Sequence, residues 1–169
     1  MEESGKKWDS NRGGERSDYK INRAEIAMFG EYSYTIDEKG RLSVPVKFRV
    51  KLLDGCVVTR GLDHCLWVYS LEEWQKIAEQ IASLPITQKN ARSFSRLMLS
   101  GAMDLKLDKA GRVNLPTYLK EYSKIKSKVV VCGMYNRLEI WPEDGWKEFK
   151  KGMEDNSEEI AEQIEELGF

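Results

Sequence analysis

Histidine is almost missing from this chain, with His64 the only one in 169 residues. Acid–base work near neutral pH falls most often to histidine. A Ser-His-Asp or Cys-His site would therefore have to use His64, and neither a nucleophile elbow nor a papain-like segment accompanies it. Its surroundings, Leu62-Asp63-His64-Cys65, read as a turn between two strands, which makes it a solvated or capping residue. Cysteine is scarce as well: Cys56, Cys65 and Cys132 are odd in number and lack metal-ligand spacing. Reduced thiols in a cytosolic protein are the expectation. No glycine-rich phosphate cradle and no metal cluster occurs. The sequence thus predicts no catalytic residue, no metal, no cofactor and no enzyme. Long apolar runs are also lacking, so no membrane span is expected. The N-terminus has no apolar core of the kind a secretory signal needs.

Net charge is nearly absent too, at -1, but the charge is unevenly placed. Residues 1–27 carry 6 basic and 6 acidic side chains, residues 28–150 carry 20 and 15, and residues 151–169 carry 1 and 7. A mildly basic body is joined to an acidic tail, a weak hint of a polyanionic partner. The first stretch is polar, contains Gly-Gly and has no periodicity, so 1–27 reads as a disordered extension holding Trp8. Met28 stands directly before an ordered-looking segment and is a candidate alternative translation start.

What is present in abundance is self-similarity. DEKGRLSVP (Asp37 to Pro45) returns farther along the chain as DKAGRVNLP (Asp108 to Pro116). Asp, Gly, Arg and Pro coincide, and a Lys shifts by one place. After a single inserted position, VVTRGLDHCLWVY (Val57 to Tyr69) matches VVVCGMYNRLEIW (Val129 to Trp141), and Trp74 falls on Trp146. Two copies are too few for a solenoid and suit a pseudo-twofold domain. The predicted organisation is a first repeat at 28–83, a linking helix at 84–100 without a counterpart, a second repeat at 101–150 and an acidic tail at 151–169.

Each repeat reads as strand, tight turn, strand, short helix, strand, turn, strand, helix. Tyr32, Tyr34, Ile36, Leu42 and Val44 share one face of the first pair of arms; Met103, Leu105, Leu107, Val113 and Leu115 share one face of the second. Such alternation around a glycine turn predicts hairpins. Gly40 and Gly111 occupy the left-handed place of a three-residue loop. Pro45 and Pro116 open short helices over VKFRVKLL and TYLKEY. Trp74, Ile77, Ala78 and Ile81 mark an amphipathic helix. Thr87 is the expected cap of the linking helix, with Phe94, Leu97 and Met98 on its buried side.

The charged turn has two readings. In one, Asp37 faces Arg41 and Asp108 faces Arg112 merely as cross-strand ion pairs that make good hairpins. In the other, Lys39, Arg41, Lys109 and Arg112 form two cationic knuckles. Asp37, Gly40, Asp108 and Gly111 then organise them. Arginine's planar fork suits phosphate or a guanine edge, and a two-stranded ribbon is slim enough for the major groove.

The two turns, with GEY…DEKGRLSVPVKFR, RGLDHCLWVYSLEEW and SLPIT…ARSFSRLMLSGA, resemble the bacterial MraZ family from about Met28 to about Phe149. The resemblance implies an α+β fold: a tandem-repeat, swapped-hairpin AbrB-like β-barrel with flanking helices and pseudo-twofold symmetry. It implies a cytoplasmic, nucleoid-associated regulator that binds double-stranded DNA at promoter repeats of the division and cell-wall gene cluster. It also implies a homo-oligomeric ring such as an octamer. The family's Asp-x-x-x-Arg signature falls on Asp37 with Arg41 and on Asp108 with Arg112. The alternative is a non-enzymatic protein-interaction or assembly scaffold.

Trp67, Trp74, Trp141 and Trp146 sit at matched or periodic positions and read as core or interface. Arg92 and Arg96 stand four apart on the linking helix as a solvated face, a subunit contact or a flank of the DNA. Ile160, Ile164 and Leu167 form one stripe among the acids of the tail, expected to lie away from the DNA face.

Overall fold

The computed structural model describes residues 26–168. The extension expected over 1–27, Trp8 included, lies outside them up to residue 25. Among the described residues, eight strands and six α-helices follow one another. The first half contains β1 (Met28–Thr35), β2 (Arg41–Ser43), α1 (Val46–Arg49) with a 3₁₀ turn at Val50–Leu52, β3 (Cys56–Arg60), β4 (Leu66–Ser70), α2 (Leu71–Ala82) and α3 (Lys89–Gly101). The second half repeats the order with β5 (Met103–Leu105), β6 (Arg112–Asn114), α4 (Thr117–Tyr122), β7 (Lys128–Tyr135), β8 (Leu138–Pro142), α5 (Glu143–Asp155) and α6 (Ser157–Glu165).

Local chemistry explains most of these elements. Pro45 and Pro116 stand directly before α1 and α4, where a missing N–H costs nothing. Ser70 caps α2 by accepting from the Glu73 N–H at 3.3 Å, and Glu72 and Glu73 complement the positive end of the helix dipole. Residues of β7 alternate between two buried layers: Val129 and Val131 enter one apolar cluster, Val130 and Cys132 another. A strand covered on both faces accordingly reads as a continuous apolar run.

The six-stranded sheet has the order β1-β7-β8-β4-β3-β5, and β2 pairs with β6 in a separate ribbon. Exchanging the halves maps this order onto itself, so the pseudo-twofold axis passes between β4 and β8. The arms predicted as hairpins pair across the halves instead. β1 runs antiparallel to β7, β5 to β3, and β2 to β6. This is the swapped-hairpin arrangement. The turn itself closes as expected, with the Asp37 N–H donating to Arg41 O at 3.0 Å and the Asp108 N–H to Arg112 O at 2.8 Å. Beyond that one rung the arms separate.

Three expectations need correction. No closed hydrogen-bonded barrel forms among the described residues, since β1 and β5 are sheet edges. The ribbon covers one face of the sheet by side-chain packing, with Leu42, Val44 and Val113 meeting Val68, Val131 and Ile140. Moreover, α3 does have a counterpart by order, the tail helix α6. Thr87 does not cap α3: the helix begins after Gln88, without a side-chain cap bond.

The core is shared between the halves. Phe48, Leu52 and Val58 from the first and Leu115, Leu119 and Val131 from the second lie in one cluster. Met28 is fully buried there at the start of β1. The opposite face of the sheet is covered by α2, α3 and α5, with Trp141 buried against Trp146 and Phe149. Trp67, Trp74 and Trp146 are half-buried, in keeping with core or interface roles. Met103, expected on an apolar face, is 40% exposed at the short edge strand β5. All three thiols are buried, and burial pushes each up to about 12, leaving no reactive thiolate near neutral pH.

Candidate nucleic-acid interface

The ribbon β2–β6 is where the two repeated turns meet. Its register sets Arg41 opposite Asn114, Leu42 opposite Val113 and Ser43 opposite Arg112. Side chains alternate along a strand, so Leu42 and Val113 enter the core while Arg41, Ser43, Arg112 and Asn114 share the outer face. Arg41 and Arg112 are diagonal neighbours there, a relation that places such residues about 7–8 Å apart. Two further bonds tie each turn to the other half: the Val44 N–H donates to Gly111 O and the Leu115 N–H to Gly40 O, both at 3.0 Å. Two turns far apart in the sequence thereby form a single surface.

Each turn is built by its aspartate. The Asp37 carboxylate accepts from the Lys39 and Arg41 backbone N–H groups at 2.9 Å each, and from Arg41 Nε at 2.7 Å. Asp108 repeats this with Ala110 N–H at 2.9 Å, Arg112 N–H at 3.0 Å and Arg112 Nε at 2.8 Å. Gly40 and Gly111 take φ of 78° and 73°, the left-handed region where only glycine avoids steric cost. Both arginine side chains remain 31% exposed, so the two guanidinium groups are equally available. The halves also touch electrostatically, with Arg112 Nη1 at 3.9 Å from Asp37 Oδ2.

The Arg41 backbone N–H, and then its guanidinium, hold the Asp37 carboxyl below its usual range; Arg112 does the same for Asp108. Depressed carboxyls stabilise the fold above the ordinary aspartate value of 3.8 and lose that contribution as pH falls below it. Both carboxylates therefore keep their charge for these bonds throughout the neutral range.

Lys39 and Lys109 are exposed at the tips with no carboxylate partner among the described residues. Two cations not singled out from the sequence join them. Arg49 of α1 lies directly over Gly111, its Nε donating to Val44 O at 2.9 Å. Lys120 of α4 lies over Gly40. Each tip is thus flanked by a cation from the other half. The signal was present in the repeat, since Arg49 and Lys120 stand at equivalent places after Pro45 and Pro116. On a short helix, however, each reads as an ordinary solvated residue.

The remaining candidates lie elsewhere. His64 is exposed, with Nδ1 at 3.4 Å from Tyr122 O and its ring against Tyr122. Arg92 donates to the carbonyls of Ile86 and Thr87 at 2.8 and 3.0 Å. No group of three or more metal-ligating side chains occurs among the described residues. No helix among them is long and apolar enough to cross a membrane.

Comparison with known proteins follows the same duplication. The family model described as "MraZ protein, putative antitoxin-like" matches twice, at residues 27–97 and 98–166. The second match runs through α6. Curated relatives named "Transcriptional regulator MraZ" include that of Halothermothrix orenii, 47% identical over 141 residues, covering 83% of this chain and 99% of the relative. That of Caldanaerobacter subterraneus subsp. tengcongensis is 45% identical, covering 82% and 96%. That of Thermoanaerobacter pseudethanolicus is 46% identical, covering 83% and 98%.

Proposed function

Since this chain belongs to the MraZ family, we propose that it is a non-enzymatic transcriptional regulator that binds double-stranded DNA through the outer face of the β2–β6 ribbon. The observation that carries this reading is the convergence of the two Asp–Arg pairs on one exposed face, although they come from opposite halves of the sequence. A pair of unrelated surface hairpins would not need that geometry.

Chemistry assigns the roles. Asp37 holds Arg41 by its Nε, and Asp108 holds Arg112 by Nε and Nη2, each at 2.8 Å, so that each guanidinium is fixed along one edge and keeps Nη donors for a ligand. A fixed guanidinium loses less side-chain freedom on binding and can address a guanine edge or a phosphate with two parallel bonds. Arg41 and Arg112 are the base-reading or bidentate contacts. Lys39, Lys109, Arg49 and Lys120 contact phosphates, which supply affinity and salt dependence without sequence information. One ribbon makes few such contacts. A ring of copies, for example an octamer, multiplies them along repeated promoter boxes, where linkage raises avidity without new contacts. The acidic tail lies away from the DNA. The targets are promoter repeats of the division and cell-wall gene cluster, and the setting is the cytoplasm and its nucleoid.

The test is binding of the full chain to DNA from upstream of its own gene, against a scrambled duplex of equal length, across a salt series. Preference for the upstream DNA, with affinity falling steeply with salt, is expected. Equal affinity for both duplexes at every salt would reject sequence-specific binding.

A further inference from the structure

The two helices that end the halves, α3 and α6, occupy the same place in the element order and have different surroundings. α3 is bedded on β3 and on α2: Thr59 Oγ1 donates to Met98 O at 2.6 Å, Arg60 Nη1 to Leu97 O at 3.3 Å, and Ser95 Oγ to Ile81 O at 3.3 Å. α6 packs against α5, and every one of its residues is exposed. The stripe that runs along it and just past its end nevertheless has the spacing of a buried helix face: Ile160, Ile164 and Leu167 are 43%, 40% and 81% exposed. Around the stripe stand Glu158, Glu162, Glu165 and Glu166, none with an ion-pair partner among the described residues.

A complementary surface exists on the other half. A groove of about 260 Å³ runs beside the turn from α2 to α3 and is lined by Leu84, Ile86, Leu99, Arg92 and Arg96 among others. Ile86 is 78% exposed, and Leu84 and Leu99 are each 37% exposed. Neither Arg92 nor Arg96 has a carboxylate partner among the described residues. The groove therefore offers an apolar floor with unneutralised arginines, and α6 offers an apolar stripe with unneutralised glutamates. Both stay exposed within one chain, so a chain's own α6 does not fill its own groove.

We propose that α6 of one copy seats its Ile160–Ile164–Leu167 stripe in the Leu84–Ile86–Leu99 groove of a second copy, with its glutamates facing Arg92 and Arg96. The two surfaces differ, so the contact is head-to-tail: each copy gives a helix and receives one, and the chain of contacts closes into a ring when its rotation closes. This names the surfaces for the oligomer in the functional reading above and rests on that reading. It also engages the acids of the tail with arginines of a neighbour, so their charge is not free to oppose DNA.

Light scattering of two full-length variants, at matched concentration and against the parent, tests it. One carries Ile160→Asp with Ile164→Asp; the other carries Ile86→Asp with Arg96→Glu. All four positions lie outside the buried core, and melting curves check that the fold is kept. Each variant alone is expected to have the mass of a single chain. An equal mixture is expected to reach twice that mass, because an intact helix then meets an intact groove. Variants that keep the mass of an oligomeric parent, or a mixture that stays monomeric, would overturn the interface alone. A parent that is itself monomeric would overturn both the interface and the ring.

Discussion

Between Asp37 and Arg41 the first tip carries Glu38, Lys39 and Gly40; between Asp108 and Arg112 the second carries Lys109, Ala110 and Gly111. Their frames are the same. Both have an aspartate accepting from two backbone N–H groups and an Nε, a left-handed glycine, and an arginine exposed to the same degree. Their electrostatics differ. The first tip sets Glu38 against its lysine and is flanked by Lys120, whereas the second lacks that acid and is flanked by Arg49. The duplication preserved the geometry that aims the arginine while letting the field around it change. The second tip is the more cationic of the two, and on the proposed reading it contributes more to DNA affinity.

Removing the arginines has the largest expected effect on that comparison. Losing one bidentate arginine costs about 1–3 kcal/mol of discrimination. Arg41→Ala and Arg112→Ala should each weaken binding to upstream DNA by that order, with Arg112→Ala the worse, as read by fluorescence anisotropy. Equal losses would mean that the local field does not matter. The tip glycines come next. Forcing an L side chain into left-handed backbone costs about 1–2 kcal/mol. At Gly40 the added methyl meets the flexible end of Lys120, Nζ at 2.9 Å, whereas at Gly111 it runs deeper into the Arg49 guanidinium, so Gly111→Ala should lower the melting temperature more than Gly40→Ala. The reverse order would show that Arg49 yields freely. The smallest effect belongs to the flanking cations: Arg49→Ala and Lys120→Ala should each reduce the salt slope by about 1 while leaving sequence preference intact. An unchanged slope would remove these two from the interface.

Much of this arrangement could be read from the sequence, because alternation, glycine turns and prolines are local signals. Both tips, helices α1, α2 and α4 and the strand faces, Met103 excepted, were legible in that way. The pairing was not. Leu42 alternates equally well against a partner in β1 or in β6, and a repeat offers every strand two equivalent neighbours. Periodicity fixes which face a strand buries but not which strand it joins. Resemblance to the family supplied the swap. Likewise, the repeat identified Arg41 and Arg112, whose motif is conspicuous, while Arg49 and Lys120 became visible only once the fold laid each over the other half's glycine. The kinship of α3 and α6 was hidden because their sequences share no motif; element order and the second family match revealed it.

The central claim is that one ribbon face, holding both arginines, reads the DNA. The measurement that tests it most directly is the salt-series titration of the Arg41→Ala, Arg112→Ala double variant with upstream and scrambled DNA, alongside its mass by light scattering. The account predicts that the variant keeps the parent's mass and loses its preference for the upstream sequence. A double variant that still prefers upstream DNA with the parent's affinity would contradict it.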